Sequence, residues 1–341
     1  MGSRKILFYS SVKDPSSFET SGFYANDIKA LSSVGYDVQV TNKIFPFILF
    51  WRYDISFLYF YKKSLFPALI SKIYNKYIFF TCGIDELSLS VSINKYQLYR
   101  QKLFFKLCYL LSSKCNIVSN SDLKNTLDLL SQKPTFNTSK LSLFPHCIDV
   151  QIINQIVFNK KQNILLTICW MGSIENVKRK GLDRCIYFLN ELVKKDLSYK
   201  IYIIGSFGEG TEFLKGIIFD LNLQDFVIFT GEISETEKID YLTKSKYYLQ
   251  LSTYEGFGLA VIEAMINGCY IIHSNVGGLK DTIGENGLII DNFDSYSEIV
   301  NSFINSDNNY TNNEQIIIEN QKNVLEKYSI YSRANYFKYN I

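Results

Sequence analysis

The chain has 341 residues but only two histidines, His146 and His273, and five prolines. So few imidazoles argue against a zinc centre. Its seven cysteines, Cys82, Cys108, Cys115, Cys147, Cys169, Cys185 and Cys269, stand singly. No C-x-x-C pair occurs, and an odd number of separated thiols fits a reducing compartment, not a disulfide framework. No apolar run reaches the roughly 18 residues needed to cross a bilayer. The run after Arg4-Lys5 is too short for a secretory signal. A soluble or peripheral protein in the cytoplasm is expected, the inner face of the cytoplasmic membrane being the surface it would meet. No G-x-G-x-x-G follows the first apolar run, since Tyr9–Gly22 lacks it. That absence removes a dinucleotide-dependent oxidoreductase. No nucleic-acid motif and no D-x-D metal motif after a strand in the second half are present.

Hydrophobic residues make up 47% and charged residues 20%, so the chain folds around cores. Its length suits two domains. Aromatics reach 16%, with 25 Tyr and 26 Phe. Two explanations stand: an AT-rich coding bias, because Ile, Asn and Lys are also abundant, or an aromatic surface that meets lipid or sugar rings. Charge is uneven. Residues 1–155 hold 18 Lys and Arg against 10 Asp and Glu, while the remainder holds 18 against 23. The basic half suggests an anionic membrane surface as a partner, with no nucleic acid.

Apolar runs and helical spacings alternate along both halves. Lys5–Ser10, Tyr36–Thr41, Ile55–Tyr61, Tyr77–Thr81, Asn116–Ser119 and Leu141–Phe144 read as strands of the first half. Phe23–Val34, Pro67–Tyr74 and Tyr96–Ser112 read as helices. The second half offers Ile164–Cys169, Lys200–Ile204, Val227–Thr230, Tyr247–Leu251, Tyr270–His273 and Gly287–Ile290 as strands. Its helices are Leu182–Lys194, Glu212–Leu221, Glu235–Lys244 and Leu259–Asn267. The fold class expected is α/β, with two Rossmann-like doubly wound domains. The polar stretch Asp307–Asn313 reads as a surface loop, and about Glu314–Lys338 as one last amphipathic helix. The aromatic run I-F-P-F-I-L-F-W (44–51), followed by Arg52 and Lys62-Lys63, reads as core or as a membrane-contact helix.

Chemistry concentrates in Y-E-G-F-G-L-A-V-I-E-A-M (254–265). A strand ends, a glycine loop follows, and a helix begins near Leu259. Such a helix N-terminus attracts anions through its N–H groups and dipole. Gly256 and Gly258 let the backbone approach an oxygen-rich group closely. Glu255 and Glu263 are eight residues apart, so the two carboxylates can accept hydrogen bonds from different hydroxyl-bearing rings. Glu263 sits among Leu259, Val261, Ile262, Ala264 and Met265, where a charge is costly without a partner.

E-G-F-G-L-A-V-I-E-A-M-I-N-G resembles the E-x7-E signature of retaining glycosyltransferases of family four, which have the GT-B fold. Lys200–Gly205, F-V-I-F-T-G-E-I-S (226–234), I-I-H-S-N-V-G-G-L-K-D-T-I (271–283), N-G-L-I-I (286–290) and F-P-H-C-I-D (144–149) resemble neighbouring family segments. The specific match covers about residues 140–292. The resemblance implies an N-terminal acceptor-binding domain, 1–155 with the final helix 322–341 packing back on it. It implies a C-terminal donor-binding domain, 156–321, facing it across a cleft. Glu255 would bind donor-sugar hydroxyls and steady an oxocarbenium-like centre, and Glu263 would hold the ribose. Gly256, Phe257, Gly258 and Leu259 would present backbone N–H groups to sugar and diphosphate. Lys180, in R-K-G-L-D (179–183), matches the lysine that neutralises the leaving diphosphate, with Arg179 beside it. Gly231 lies in the loop next to the base.

Two departures stand out. The family usually has Arg where W-M-G-S (170–173) places Ser173, with Lys178 or Arg179 as substitutes. It often has His where T-C-G-I-D (81–85) places Cys82, leaving Gly83 and Asp85 as acceptor-side contacts together with Gly22. The implied activity is metal-independent, retaining transfer from a UDP- or GDP-linked sugar to a glycan or lipid-linked acceptor, in bacterial surface polysaccharide synthesis. No cofactor is implied. The alternative is a catalytically silent glycan-binding or scaffold protein of the same fold. G-S-F-G-E-G (205–210) superficially resembles a dinucleotide loop.

Overall fold

The structure is a computed structural model that describes residues 3–82, 95–131, 137–150 and 156–341, apart from the side chains of Cys82 and Thr311. The chain forms two compact units, residues 1–150 with 326–341, and residues 151–325.

The first unit is a six-stranded parallel sheet of β1 (Lys5–Tyr9), β2 (Asp37–Thr41), β3 (Ile55–Tyr59), β4 (Tyr77–Cys82), β5 (Lys114–Ile117) and β6 (Leu141–Leu143), in the order β2-β1-β3-β4-β5-β6. All five residues of β3 are buried. Both faces of the sheet are covered at its centre, so β1, β3 and β4 read as near-continuous apolar runs, whereas the edge strand β2 (D-V-Q-V-T) alternates and is largely exposed. Much of the aromatic excess is core. Phe57 stacks between Phe8 at 5.0 Å and Phe79 at 4.8 Å, and Phe337 meets Phe57 and Phe79 edge-on. Phe337 belongs to the last helix, Ile330–Asn340, which packs on the helix Gly22–Ser33. The expected return of the chain end to the first unit is therefore observed. It is locked by charge: Arg333, fully buried, donates from Nε to Asp27 Oδ1 at 2.8 Å and from Nη2 to Asp27 Oδ2 at 2.9 Å. Its Nη1 donates to the carbonyls of Phe144 and Pro145, and the Tyr59 hydroxyl donates to Asp27.

The second unit has β7 (Gln162–Ile168), β8 (Lys200–Ile204), β9 (Val227–Gly231), β10 (Ser245–Gln250), β11 (Tyr270–His273) and β12 (Leu288–Ile289), in the order β12-β11-β10-β7-β8-β9. All are parallel. The order runs outward in one direction from β7 and in the other from β10. The crevice at the C-terminal ends of these two neighbours is thus the switch point at which doubly wound sheets bind ligands.

Three expectations need correction. Asp307–Asn313 is not a surface loop, because all of it but the cap residue Asn309 belongs to the helices Tyr296–Asn308 and Tyr310–Lys327. Asp307 faces inward, accepting hydrogen bonds from Tyr199, Lys246 and Tyr247. The single last helix is two, Tyr310–Lys327 and Ile330–Asn340, broken where Ser329 caps the second by accepting from the Ser332 N–H at 3.2 Å. The 44–51 run forms two 3-10 turns, Phe45–Ile48 and Phe50–Arg52, with Pro46 at the start of the first. Of its aromatic residues only Phe47 is buried; Phe45 and Trp51 face solvent.

Candidate functional site

The site grows from a left-handed glycine. Beyond β7 the chain caps the helix Ile174–Lys180 with Ser173, whose Oγ accepts from the Asn176 N–H at 3.2 Å. The helix stops at Gly181, with φ +69°. A Cβ at Gly181 would stand 1.9 Å from the Leu251 carbonyl oxygen. Glycine alone lets this turn press against the segment that follows β10. Hydrogen bonds then fasten the two segments. The Thr253 N–H donates to Arg179 O at 2.8 Å, and Arg184 Nη1 donates to Leu251 O at 3.1 Å.

This contact brings Lys180 to Glu255. The ammonium lies 2.6 Å from Glu255 Oε2, with both side chains mostly buried. The same carboxylate oxygen accepts from Gln250 Nε2 at 3.2 Å. Gln250 is held in turn by Tyr248, whose hydroxyl donates to its Oε1 at 3.2 Å. A nearly buried carboxylate with two donors is fixed in direction, and its remaining lone pairs can accept from hydroxyl groups.

Behind the loop lies V-G-G (276–278). A Cβ at Gly277 would be 2.2 Å from Glu255 O, and one at Gly278 would be 2.2 Å from Gly256 O. The Gly278 N–H donates to Glu255 O at 2.7 Å, and Thr282 Oγ1 donates to Phe257 O at 2.7 Å. The loop 254–258 is therefore clamped backbone to backbone. Gly258, with φ +95°, is the N-cap of the helix Leu259–Ile266 and offers no side-chain cap.

Glu263 lies inside that helix. Its carboxylate is 3.0 Å from the Lys238 ammonium, and Lys238 also pairs with Glu235 at 2.9 Å. Burial pushes the Glu263 carboxyl above the usual range, with Lys238 pulling the other way. Burial opposes the charge on Lys238, yet Glu263 and Glu235 outweigh it and raise its pKa.

The structure gathers Glu255, Lys180, Arg179, Gly256, Phe257, Gly258, Leu259 and Ser173 around the ends of β7 and β10. Gly231 ends β9, with the Phe207 ring 3.4 Å from where its Cβ would stand. Arg179 donates to Asn176 Oδ1 at 2.7 Å and to Tyr254 O at 3.4 Å. Lys178 instead turns to the Phe213 ring, 5.2 Å from its centroid. Gly22 opens the helix Gly22–Ser33 of the first unit. The Cys82 side chain, Gly83 and Asp85 lie outside the described residues. The glycines of 205–210 are packing devices: a Cβ at Gly205 would be 1.9 Å from Cys169 O, and one at Gly208 would be 2.6 Å from Gly172 Cα. His146 and His273 are buried, and burial lowers the pKa of each to about 4. Sequence reasoning missed Gln250 and Lys238. Nothing local marks either residue, and each acts through a partner that folding supplies.

Comparison with known proteins supports the fold and gives the family. Residues 151–324 match the family model of glycosyl transferases group 1. The poly(ribitol-phosphate) alpha-N-acetylglucosaminyltransferase of Staphylococcus aureus is 29% identical over 206 residues, 60% of this chain and 39% of that protein. The capsular polysaccharide biosynthesis glycosyltransferase CapM, also of Staphylococcus aureus, is 27% identical over 154 residues, 44% of this chain and 40% of that protein. The chain thus spans about two fifths of the length of these relatives. Anabaena HepE, crystallised with UDP and glucose, superposes with a TM-score of 0.79 over 98% of each chain at 14% identity, and shares the GT-B fold. Through the match over 151–324, half of its length, the chain belongs to the group 1 glycosyl transferases.

Proposed function

We propose that the protein transfers a sugar, with retention, from a UDP- or GDP-linked donor to a hydroxyl of a glycan or lipid-linked acceptor in bacterial surface polysaccharide synthesis. The observation that carries this reading is the Lys180–Glu255 pair at the switch point of the second sheet. An ammonium has three donors, so one on Glu255 leaves two for diphosphate oxygens. Negative charge grows on the diphosphate as its bond to the sugar breaks, and Lys180 with the N-terminus of Leu259–Ile266 opposes it. No metal or other cofactor is required in this scheme. Glu255, steadied by Gln250, accepts hydrogen bonds from sugar hydroxyls and favours the cationic centre. The acceptor oxygen bonds to the anomeric carbon on the face the phosphate leaves, and the acceptor proton passes to the departing phosphate oxygen. Glu263 holds the ribose, and the Gly231 loop lies beside the base. Residues 1–150, with Gly22, Cys82, Gly83 and Asp85, supply the acceptor side.

The test is a transfer and donor-hydrolysis assay on Glu255→Ala. Turnover should fall at least ~100-fold, the scale of losing one electrostatic group at a reacting centre. Normal turnover would sink the assignment. Lys180→Ala should weaken nucleoside-diphosphate binding more than nucleoside binding, and equal losses would remove its role. A second reading, a glycan-binding protein without turnover, is favoured by Ser173, which caps a helix where the family places Arg. Donor binding with no hydrolysis or transfer by the wild-type chain would support it.

A further inference from the structure

The helices and turns between β2 and β5 are apolar on their outer side as well as their inner side. In the helix Lys95–Leu111 the buried residues include Leu98, Phe105, Cys108 and Tyr109, of which the last three join the core under β3 and β4. Tyr96, Tyr99, Leu103, Leu107 and Leu110 form a second stripe at helical spacing, and all are exposed, Tyr96 by 71%. The helix Leu65–Ile73 repeats the arrangement, with Phe66, Leu69 and Ile73 exposed, the last by 74%. These two helices pack on each other, and the turn Phe45–Ile48 packs on Leu65–Ile73. Phe50 of the second turn stacks on Tyr74 at 4.1 Å, leaving Trp51 65% exposed. A helix carrying an outward apolar stripe in addition to a buried one has a face that no apolar side chain covers among the described residues.

The surroundings are cationic. Residues 44–82 and 95–111 hold nine Lys and Arg, Arg52, Lys72, Arg100 and Lys106 among them, against one carboxylate, Asp54. Lys62 and Arg100 also line a cavity of about 290 Å³ with Tyr96, Gln97, Gln101 and Phe104. Aromatics among lysines and arginines suit the zone where acyl chains meet anionic headgroups: the rings enter and the cations reach phosphate. A second copy of this chain is the wrong occupant, because a two-fold contact would set nine cations against nine.

We propose that the turns Phe45–Ile48 and Phe50–Arg52 and the helices Leu65–Ile73 and Lys95–Leu111 of the first unit dock this protein on an anionic lipid bilayer, with Trp51, Phe66 and Ile73 entering the interface and the helix Lys95–Leu111 lying along it. This contact requires no donor sugar, so its failure would leave the transferase reading standing.

The experiment is co-sedimentation of the full chain with phosphatidylcholine vesicles, with and without phosphatidylglycerol. Binding at low salt should be at least ~10-fold stronger to the anionic vesicles, and should fall as added salt shortens the Debye length below about 10 Å. In Trp170→Phe, which leaves Trp51 as the reporter, emission should move to shorter wavelength on anionic vesicles. The triple variant Trp51→Ser, Phe66→Ser, Ile73→Ser should lose about 10-fold or more of the binding at an unchanged melting temperature. Leu103→Gln with Leu107→Gln is the second variant, should the first fail to fold. No sedimentation at low salt would overturn the proposal. So would unchanged binding in a folded variant, or a dimer of the wild-type chain that these substitutions abolish.

Discussion

The Glu263 carboxylate stands 3.0 Å from the Lys238 ammonium and bridges the helices Leu259–Ile266 and Glu235–Lys244. Without Lys238 the carboxylate would remain among apolar neighbours, and its already raised pKa would climb further. Lys238→Met should therefore weaken nucleotide binding about 10-fold, or about 1.4 kcal/mol, although Lys238 is not placed on the ligand. Glu263→Gln should do the same. Titration calorimetry across pH checks the sign. Wild-type binding should weaken as pH falls into the raised range of Glu263, whereas Glu263→Gln should be flat there.

Gly181 tests whether backbone contact positions Lys180. Gly181→Ala places a Cβ against the Leu251 carbonyl and strains a φ of +69°. Gly35 has φ +92° with nothing within 4 Å of its absent Cβ. Gly35→Ala should cost about 1 kcal/mol, the conformational term alone. Gly181→Ala should cost more than that and also reduce turnover. Urea melts and transfer assays of the two variants separate the effects, and equal behaviour would refute the positioning argument.

Asp27 and Arg333 offer a stability test far from the chemistry in sequence. Arg333→Met strands a fully buried carboxylate, and the cost should be about 3–5 kcal/mol by denaturant unfolding. Asp27→Leu combined with Arg333→Met should recover part of the loss, because neither charge then remains buried alone. A double variant no better than the single one would mean that packing of the last helix dominates.

The two buried histidines set an acid limit. Each has a folded pKa of about 4 against the ordinary 6.5. The unfolded chain thus binds protons first as pH falls, so stability is lost between about pH 6.5 and 4, on the order of 3 kcal/mol per histidine. Above 6.5 neither histidine contributes a slope. Unfolding free energies of His146→Gln and His273→Gln should show a shallower decline in that window than wild type.

Much of the second unit was legible. Leu182–Lys194, Lys200–Ile204, Glu235–Lys244 and Tyr270–His273 agree with the sequence reading to the residue. Their apolar periods and caps are local signals. The failures share another cause. Asp307 looked solvated, yet its partners Tyr199, Lys246 and Tyr247 lie 60 or more residues away. Phe45 and Trp51 read by default as core, with a membrane-contact helix as the alternative, yet both are exposed, because hydrophobicity does not say which way a residue faces. The motif 254–265 announced itself, but Gln250, which aims Glu255, and Lys238, which compensates Glu263, became visible only when the strands and helices were assembled.

The first unit is also discontinuous in time. Residues 1–150 leave the ribosome well before the helix Ile330–Asn340, and residues 151–325 are made in between. Until Arg333 arrives, Asp27 faces a core that has no counter-charge, and Phe57 and Phe79 lack the ring of Phe337. All residues of the second unit are made by the end of this interval, whereas the first still waits for residues 326–341. A stop codon at Ile330 would therefore damage the unit built from residues 1–150 more than the residues just before the stop.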